Sequence, residues 1–208
     1  MMFKDREHAG KTLAKKLEEY REEDGDVVVL AIAKGGTRVG YEIAKALKAD
    51  FSILVIRKLP FPYNPEAGFG AIAEDGTEVL VQGPFSQNKI NEIKEKQREE
   101  IKRRLKKLRD SPIPKLEDKT VILVDDGIAT GSTMKAAVQY CKKNNPKKIV
   151  VTSPVSSSEA KREFEDLVDD VHILETPDRF RAVAQVYQNW HDVTDQEVIE
   201  IMQKWRNN

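Results

Sequence analysis

The chain has 208 residues, enough for one domain with a sizeable core. Charged side chains make up 34% of it and cancel to a net charge of zero, which argues against a general binder of nucleic acid or of anionic membrane. The lone cysteine, Cys141, excludes a disulfide framework or a cysteine zinc site, and His8, His172 and His191 are too far apart for metal-ligand spacing.

The opening MMFKDREHAG carries charge where a signal peptide needs an apolar core. No apolar run approaches membrane-spanning length, so a soluble, cytoplasmic protein is expected. Residues from about Arg6 to Tyr20 follow a helical pattern, with Ala9, Leu13, Leu17 and Tyr20 on one stripe and Gly25 closing the region. Val27 to Ala33, VVVLAIA, is a continuous apolar run of the kind that forms a strand buried on both faces. Lys34, Gly35, Gly36, Thr37 and Arg38 follow, then a helical pattern through Val39, Ile43, Ala44 and Leu47. A glycine-rich turn into a helix presents unpaired N–H groups and the positive end of the dipole, which together suit an anion.

Phe51 to Ile56 is the next expected strand, ending in the cations Arg57 and Lys58. Leu59 to Phe85 changes character: Pro60, Pro62 and Pro65 stiffen it, and Gly68 and Gly70 loosen it. Within it Phe69 to Val81 reads as a hairpin turned at Asp75-Gly76. Gln87 to Asp110 is strongly helical, with a narrow apolar stripe of Ile90, Ile93, Ile101, Leu105 and Leu108 that Gln97 interrupts. The cations Lys102 to Lys107 and Arg109 at its end, balanced by Glu92, Glu95, Glu99 and Glu100, read as a solvated face complementing the helix dipole.

Val121 to Thr133, VILVDDGIATGST, organises the chain. A buried-strand run is followed by Asp125 and Asp126, then by Gly127, Ile128, Ala129, Thr130, Gly131, Ser132 and Thr133, and then by a helical pattern from Met134. The loop and helix start suit a phosphate, with Thr130, Ser132 and Thr133 as added hydroxyl donors. The carboxylates would repel a phosphate and suit a ribose diol or Mg²⁺ instead. Neither G-x-x-x-x-G-K-[ST] nor G-x-G-x-x-G occurs. A strand over Lys147 to Thr152, a loop at Pro154 and Ser156–Ser158, a helix over Glu159 to Leu167 and a strand over Val171 to Leu174 complete the alternation. Such alternation makes a parallel sheet with ligands at the strand carboxyl ends. In the tail, Thr194 and Glu197 form a capping box, Phe180 offers an apolar wall for a flat base, and Tyr187, Trp190 and Trp205 serve equally well to pack the tail down.

Val121–Thr133 closely resembles the phosphoribosyl diphosphate (PRPP) signature of type I phosphoribosyltransferases. The wider chain, including Asn64–Gly76, is similar to a group of phosphoribosyltransferases of unassigned base specificity. The resemblance implies a doubly wound, mostly parallel, Rossmann-like α/β sheet with a hood formed by 59–85, by the C-terminal segment, or by both. One domain over 1–208 is expected, its core at about 5–58 and 87–175, with 176–208 as C-terminal segment. It implies transfer of the phosphoribosyl group to a nitrogen nucleophile, a nucleobase, with inversion at C1, an oxocarbenium-like transition state and release of pyrophosphate. Asp125 and Asp126 would be the catalytic acids, holding the ribose hydroxyls directly or through Mg²⁺. Gly127 to Thr133 would hold the 5′-phosphate. Lys34, Gly35, Gly36, Arg57 and Lys58 would receive the diphosphate, with a cis Ala33–Lys34 peptide. The expected partners are PRPP and a base, with no nucleic acid or membrane and with room for a homodimer. A non-catalytic PRPP-sensing regulator would carry the same motif.

Overall fold

A computed structural model describes residues 2–22, 26–80 and 86–207. Gly25, which was expected to close the first helical region, and residues 81–85 of the expected hood lie outside them. The chain opens with helix α1 (Arg6–Ala14), capped by Asp5, whose carboxylate accepts from the His8 N–H at 2.8 Å. The expected helix to Tyr20 turns at Lys15 into a 3₁₀ segment, Lys15–Glu22. Leu17 and Tyr20, three residues apart, remain stacked and buried because a 3₁₀ turn has three residues.

The VVVLAIA run forms β1 (Val27–Ala33), buried at every position, and leads into α2 (Gly36–Leu47). Next come β2 (Asp50–Phe61), β3 (Asn64–Ala73) and β4 (Glu78–Leu80). Helix α3 (Gln87–Leu108) crosses to β5 (Thr120–Val124), followed by α4 (Ser132–Lys142), β6 (Lys148–Val155), α5 (Ser158–Glu165), β7 (Asp170–Glu175) and α6 (Asp195–Arg206). The seven strands lie in the order β4-β3-β2-β1-β5-β6-β7. β2, β1, β5, β6 and β7 run parallel, and β3 and β4 add an antiparallel edge.

Because successive strand residues point to opposite faces, the apolar runs divide between two layers. Val27, Val29 and Ala31 pack with Leu13, Ile43, Ile101 and Ile201 of α1, α2, α3 and α6. Val28 and Leu30 pack with Met134, Val138 and Phe164 of α4 and α5. The sheet is therefore doubly wound. From β1 the chain builds outward to β2 on one side and then returns to lay β5 on the other. That reversal opens a crevice at the carboxyl ends of β1 and β5, where ligands bind in open α/β sheets. Among the described residues no helix is long and apolar enough to cross a membrane.

Two expected boundaries move for identifiable reasons. β2 does not stop at Ile56, because β3 takes over as its partner where β1 ends at Ala33 opposite Val55. Pro60, lacking an N–H, sits at a register shift in that pairing. β6 runs on through Pro154, past its last pairing with β5 at Thr152, so the missing N–H removes no bond on that side. The excursion after Lys58 is rooted in the sheet: Leu59, Phe69 and Ile72 are buried, and Tyr63 at the β2–β3 tip is exposed. The Asp75-Gly76 turn forms as expected, with Gly76 at φ +87° and β4 returning from it. At the end of α3, Lys102, Arg103, Lys106 and Lys107 are exposed, as a solvated face requires. Arg104 and Arg109 instead turn inward, Arg109 pairing with Glu74 at 2.6 Å in a nearly buried bridge.

Candidate active site

Two depressions meet at the carboxyl ends of β1 and β5, sharing Asp125 and Thr133. The first, about 430 Å³, is lined by the loop from Gly127 to Thr133 and faced by Lys58, Phe61 and Gly68 of the β2–β3 hairpin. The second, about 460 Å³, is lined by Lys34, Gly35, Arg57, Arg104, Asp126 and the tail residues Val183, Trp190, Asp192 and Val193. Both lie in the volume range of small-molecule sites.

The loop is held at its root. The Ile128 N–H donates to the Val155 carbonyl at 2.8 Å, Ser157 N–H donates to the Ile128 carbonyl at 3.0 Å, and the Ile128 side chain is buried. Beyond that anchor Gly131 turns with φ +76°, a conformation that costs L side chains energy, and starts α4 with no side-chain cap. Gly35 likewise starts α2 with no side-chain cap. Four other helices, α1, α3, α5 and α6, are capped by Asp5, Ser86, Ser157 and Thr194. Thus the two helices that begin beside these loops are the ones whose first turns take no side-chain cap, with the Thr37 N–H of α2 already donated to the Lys34 carbonyl at 3.1 Å.

The acid pair splits into two different environments. Asp126 is buried and accepts from Arg6 Nε at 2.8 Å. Arg6 also donates to the His191 carbonyl at 2.9 Å, and its guanidinium lies 4.0 Å from the centre of the Trp190 ring. Tyr187 hydroxyl donates to the Asp126 carbonyl at 2.7 Å. A Cβ on Gly35 would stand 2.3 Å from the Asp126 carboxylate, so only glycine lets the β1–α2 turn approach this acid. Asp125 keeps a partly exposed edge on the crevice, where one oxygen accepts the Asp126 N–H at 2.8 Å. Burial, followed by the neighbouring Asp126 charge, holds its carboxyl well above the usual range.

Cations form the opposite wall. Lys34 follows the cis Ala33–Lys34 peptide, and its amine lies 3.6 Å from Asp195 at the start of α6. Arg103 and Lys107 reach the same carboxylate at 3.2 and 3.0 Å. They and Lys34 hold the Asp195 carboxyl down at about 2, with the Lys107 hydrogen bond the largest cause. Arg57 donates through Nε to the buried Gln97 side chain at 2.9 Å, which explains the polar break in the apolar stripe of α3. Burial, and behind it the nearby Arg104 charge, pushes the Arg57 guanidinium below its ordinary value.

The structure therefore brings Lys34, Gly35, Arg57, Asp125 and Asp126 and the Gly127–Thr133 loop to one rim. It separates Arg57 from Lys58: strand alternation sends them to different depressions. Gly36 packs below the rim, where an added Cβ would meet the Val124 carbonyl at 2.5 Å. Phe180 lines neither depression and packs with Phe3, Val155, Val186 and Tyr187. Val183 and Trp190 supply the apolar wall there instead. Sequence reading missed Arg6, Arg104 and Asp192, because each reaches the rim from a segment far away in the chain. Gln97 left a signal, as a polar residue where the stripe called for an apolar one.

A family description, the phosphoribosyl transferase domain, matches residues 2–189. Two curated Mycobacterium tuberculosis proteins, from strains CDC 1551 and H37Rv and provisionally named phosphoribosyl transferases, are each 38% identical over 210 residues. The alignments cover 98% of this chain and 47% of each relative, so the chain spans about half the length of these proteins. Among solved structures, TT1426 from Thermus thermophilus is 34% identical with a TM-score of 0.79, covering 99% of both chains. AQ2163 from Aquifex aeolicus, at 13% identity and a TM-score of 0.54 over 85% of this chain and 76% of that one, shares the fold. The chain belongs to the phosphoribosyl transferase domain family.

Proposed function

We propose that the protein transfers the 5-phosphoribosyl group of PRPP to a ring nitrogen of a nucleobase and releases pyrophosphate. The observation that carries this reading is the pair of uncapped helix starts, at Gly35 and Gly131, facing one crevice with Asp125 between them. PRPP has the same layout: a phosphate at one end, a diphosphate at the other and a diol in the middle. The 5′-phosphate would take the open N–H groups after Gly131 and the hydroxyls of Thr130, Ser132 and Thr133. Asp125 would accept from the ribose hydroxyls. Lys34, Gly35 and Arg57 would receive the diphosphate, and Lys58 would close over the phosphate side from the hairpin.

Asp126 has a different part in this reading. With one carboxylate oxygen already on Arg6, it orients Asp125 through its N–H and ties both ends of the chain to the site. The donor set suits Mg²⁺ carried in on the diphosphate, because Mg²⁺ is held through one or two carboxylates plus substrate phosphates. Asp125 offers the crevice such a carboxylate edge. When bound, Mg²⁺ would neutralise charge on the leaving diphosphate. The Val183, Trp190 and Val193 wall would receive the base. The chain's own contribution is positioning, charge neutralisation and exclusion of water from C1.

Incubation with PRPP, Mg²⁺ and a panel of purines and pyrimidines, with a no-base control, tests this by pyrophosphate release. Release that depends on one class of base is expected. PRPP binding without release for any base would favour the sensing role, and absence of PRPP binding would sink both.

A further inference from the structure

The end of α3 reads in sequence as a solvated basic face, yet one of its arginines points into the crevice. Arg104 has a side chain only 11% exposed and lines the same depression as Lys34, Arg57, Asp125 and Thr133. Its place there follows from the helix period: Gln97 and Arg104 are seven residues apart, on the stripe that faces β2. Turning a guanidinium toward another cation is costly unless an anion sits between them.

The charges on this wall do not balance. Lys34, Arg103 and Lys107 share the single carboxylate of Asp195. Arg103 and Arg104 share that of Glu100, at 2.7 and 2.8 Å. Arg57 has the neutral Gln97 as its hydrogen-bond acceptor. Of the cations that line the depression itself, Lys34 and Arg104 thus share their carboxylates with the exposed Arg103 and Lys107, and Arg57 has none. On the other side of the crevice Asp126 is matched by Arg6, which leaves Lys34, Arg57 and Arg104 against Asp125 and Asp192. A surplus of positive charge around a concave surface is an anion subsite.

We propose that α3 is a third wall of the diphosphate subsite and that Arg104 binds the diphosphate directly, exchanging its Glu100 contact for phosphate oxygens. The assignment rests on the phosphoribosyl transfer reading above. A guanidinium presents paired N–H groups that match a phosphate better than a point charge does. Glu100 is then the resting counter-ion that keeps Arg104 aimed at the crevice while the subsite is empty.

Calorimetry on the full chain with two probes tests the assignment: inorganic pyrophosphate with Mg²⁺, and ribose 5-phosphate, which carries no diphosphate. In Arg104→Gln, pyrophosphate affinity should fall about tenfold, with ribose 5-phosphate unchanged. Arg104→Lys should recover part of the loss. Glu100→Gln should tighten pyrophosphate binding by about threefold, a gain that misfolding cannot produce. Wild-type pyrophosphate affinity in Arg104→Gln, or no tightening in Glu100→Gln, overturns the proposal. If Arg104→Gln loses both ligands, Glu100→Gln decides in the same way. Arg104-dependent pyrophosphate binding in a protein that transfers phosphoribose to no base would instead overturn the transfer reading and leave the subsite standing.

Discussion

The two walls of the crevice are built in opposite ways. The side assigned above to the phosphate is one unbroken stretch, Asp125 to Thr133, built from a strand end, a glycine at φ +76° and an uncapped helix start. The cation side is assembled from the end of β1, β2, α3 and α6: Lys34, Arg103 and Lys107 lean on Asp195 and Arg57 on Gln97, across elements, while Arg104 leans on Glu100 of its own helix. A contiguous wall owes much of its shape to short-range sterics, with the Ile128 bonds to Val155 and Ser157 pinning its root. A dispersed wall stores its geometry in ion pairs, so single substitutions there act on ligand affinity and stability together.

The largest effect should come where the acid pair is tied to the first helix and the tail. Arg6 and Asp126 are both nearly buried and lie 120 residues apart. Arg6→Gln or Asp126→Asn each leaves one charge without its partner, at a cost of about 3–5 kcal/mol. Combining the two should recover part of that loss, and urea denaturation of the single and double variants measures the coupling. Additive losses would show that the two side chains are not energetically coupled.

A smaller loss is expected on the phosphate side. Gly131→Val places a side chain at positive φ and brings its Cβ to about 3.1 Å from the Phe164 ring. Left-handed backbone alone costs about 1–2 kcal/mol for a residue with a side chain. Gly76→Ala is the control: φ +87° with nothing within 4 Å, and no part in the crevice. Both should lower the thermal midpoint, and Gly131→Val alone should abolish ribose 5-phosphate binding.

Asp125→Asn should move stability the other way. Burial and Asp126 raise the Asp125 carboxyl above its unfolded value, so the folded chain binds more protons than the unfolded chain between those two values. Stability therefore falls as pH rises from the ordinary carboxylate range through the raised value. Removing the charge should stabilise the protein at neutral pH and leave it unchanged at acid pH. Thermal melts across pH read the difference, and PRPP binding should be lost throughout. A destabilised Asp125→Asn at neutral pH would refute this account of the acid pair.

The smallest expected change concerns the hairpin facing the phosphate loop. Its base is fixed by Leu59, Phe69 and Ile72, while Phe61 and Gly68 face the crevice and Tyr63 is exposed. Hydrogen exchange should show protection on binding PRPP, Mg²⁺ and a base analogue in about residues 61–68 and not in the base of the hairpin. Protection spread over 86–108 would move the lid to α3.

Much of the fold was legible because its signals are local. The VVVLAIA and VILV runs show strands buried on both faces, and the Thr194–Glu197 box marks the start of α6. Asp125–Asp126 followed by a small-residue loop marks the end of β5 and the turn into α4. The errors fell where a neighbour decides: β2 continues because β3 pairs with it, and Phe180 turns away because Phe3 and Val155 offer it apolar cover.

By itself the sequence determined the alternation of strand and helix, the small-residue loop before α4 and the position of the acids, since each depends on residues a few places apart. Only the tertiary structure decided that Asp126 is matched by Arg6 while Asp125 faces the crevice. It alone separated Arg57 from Lys58, and it alone turned Arg104 inward out of a helix face that reads as solvated. Charge pairing has no sequence period: which cation meets which carboxylate is set by the packing of the elements that carry them.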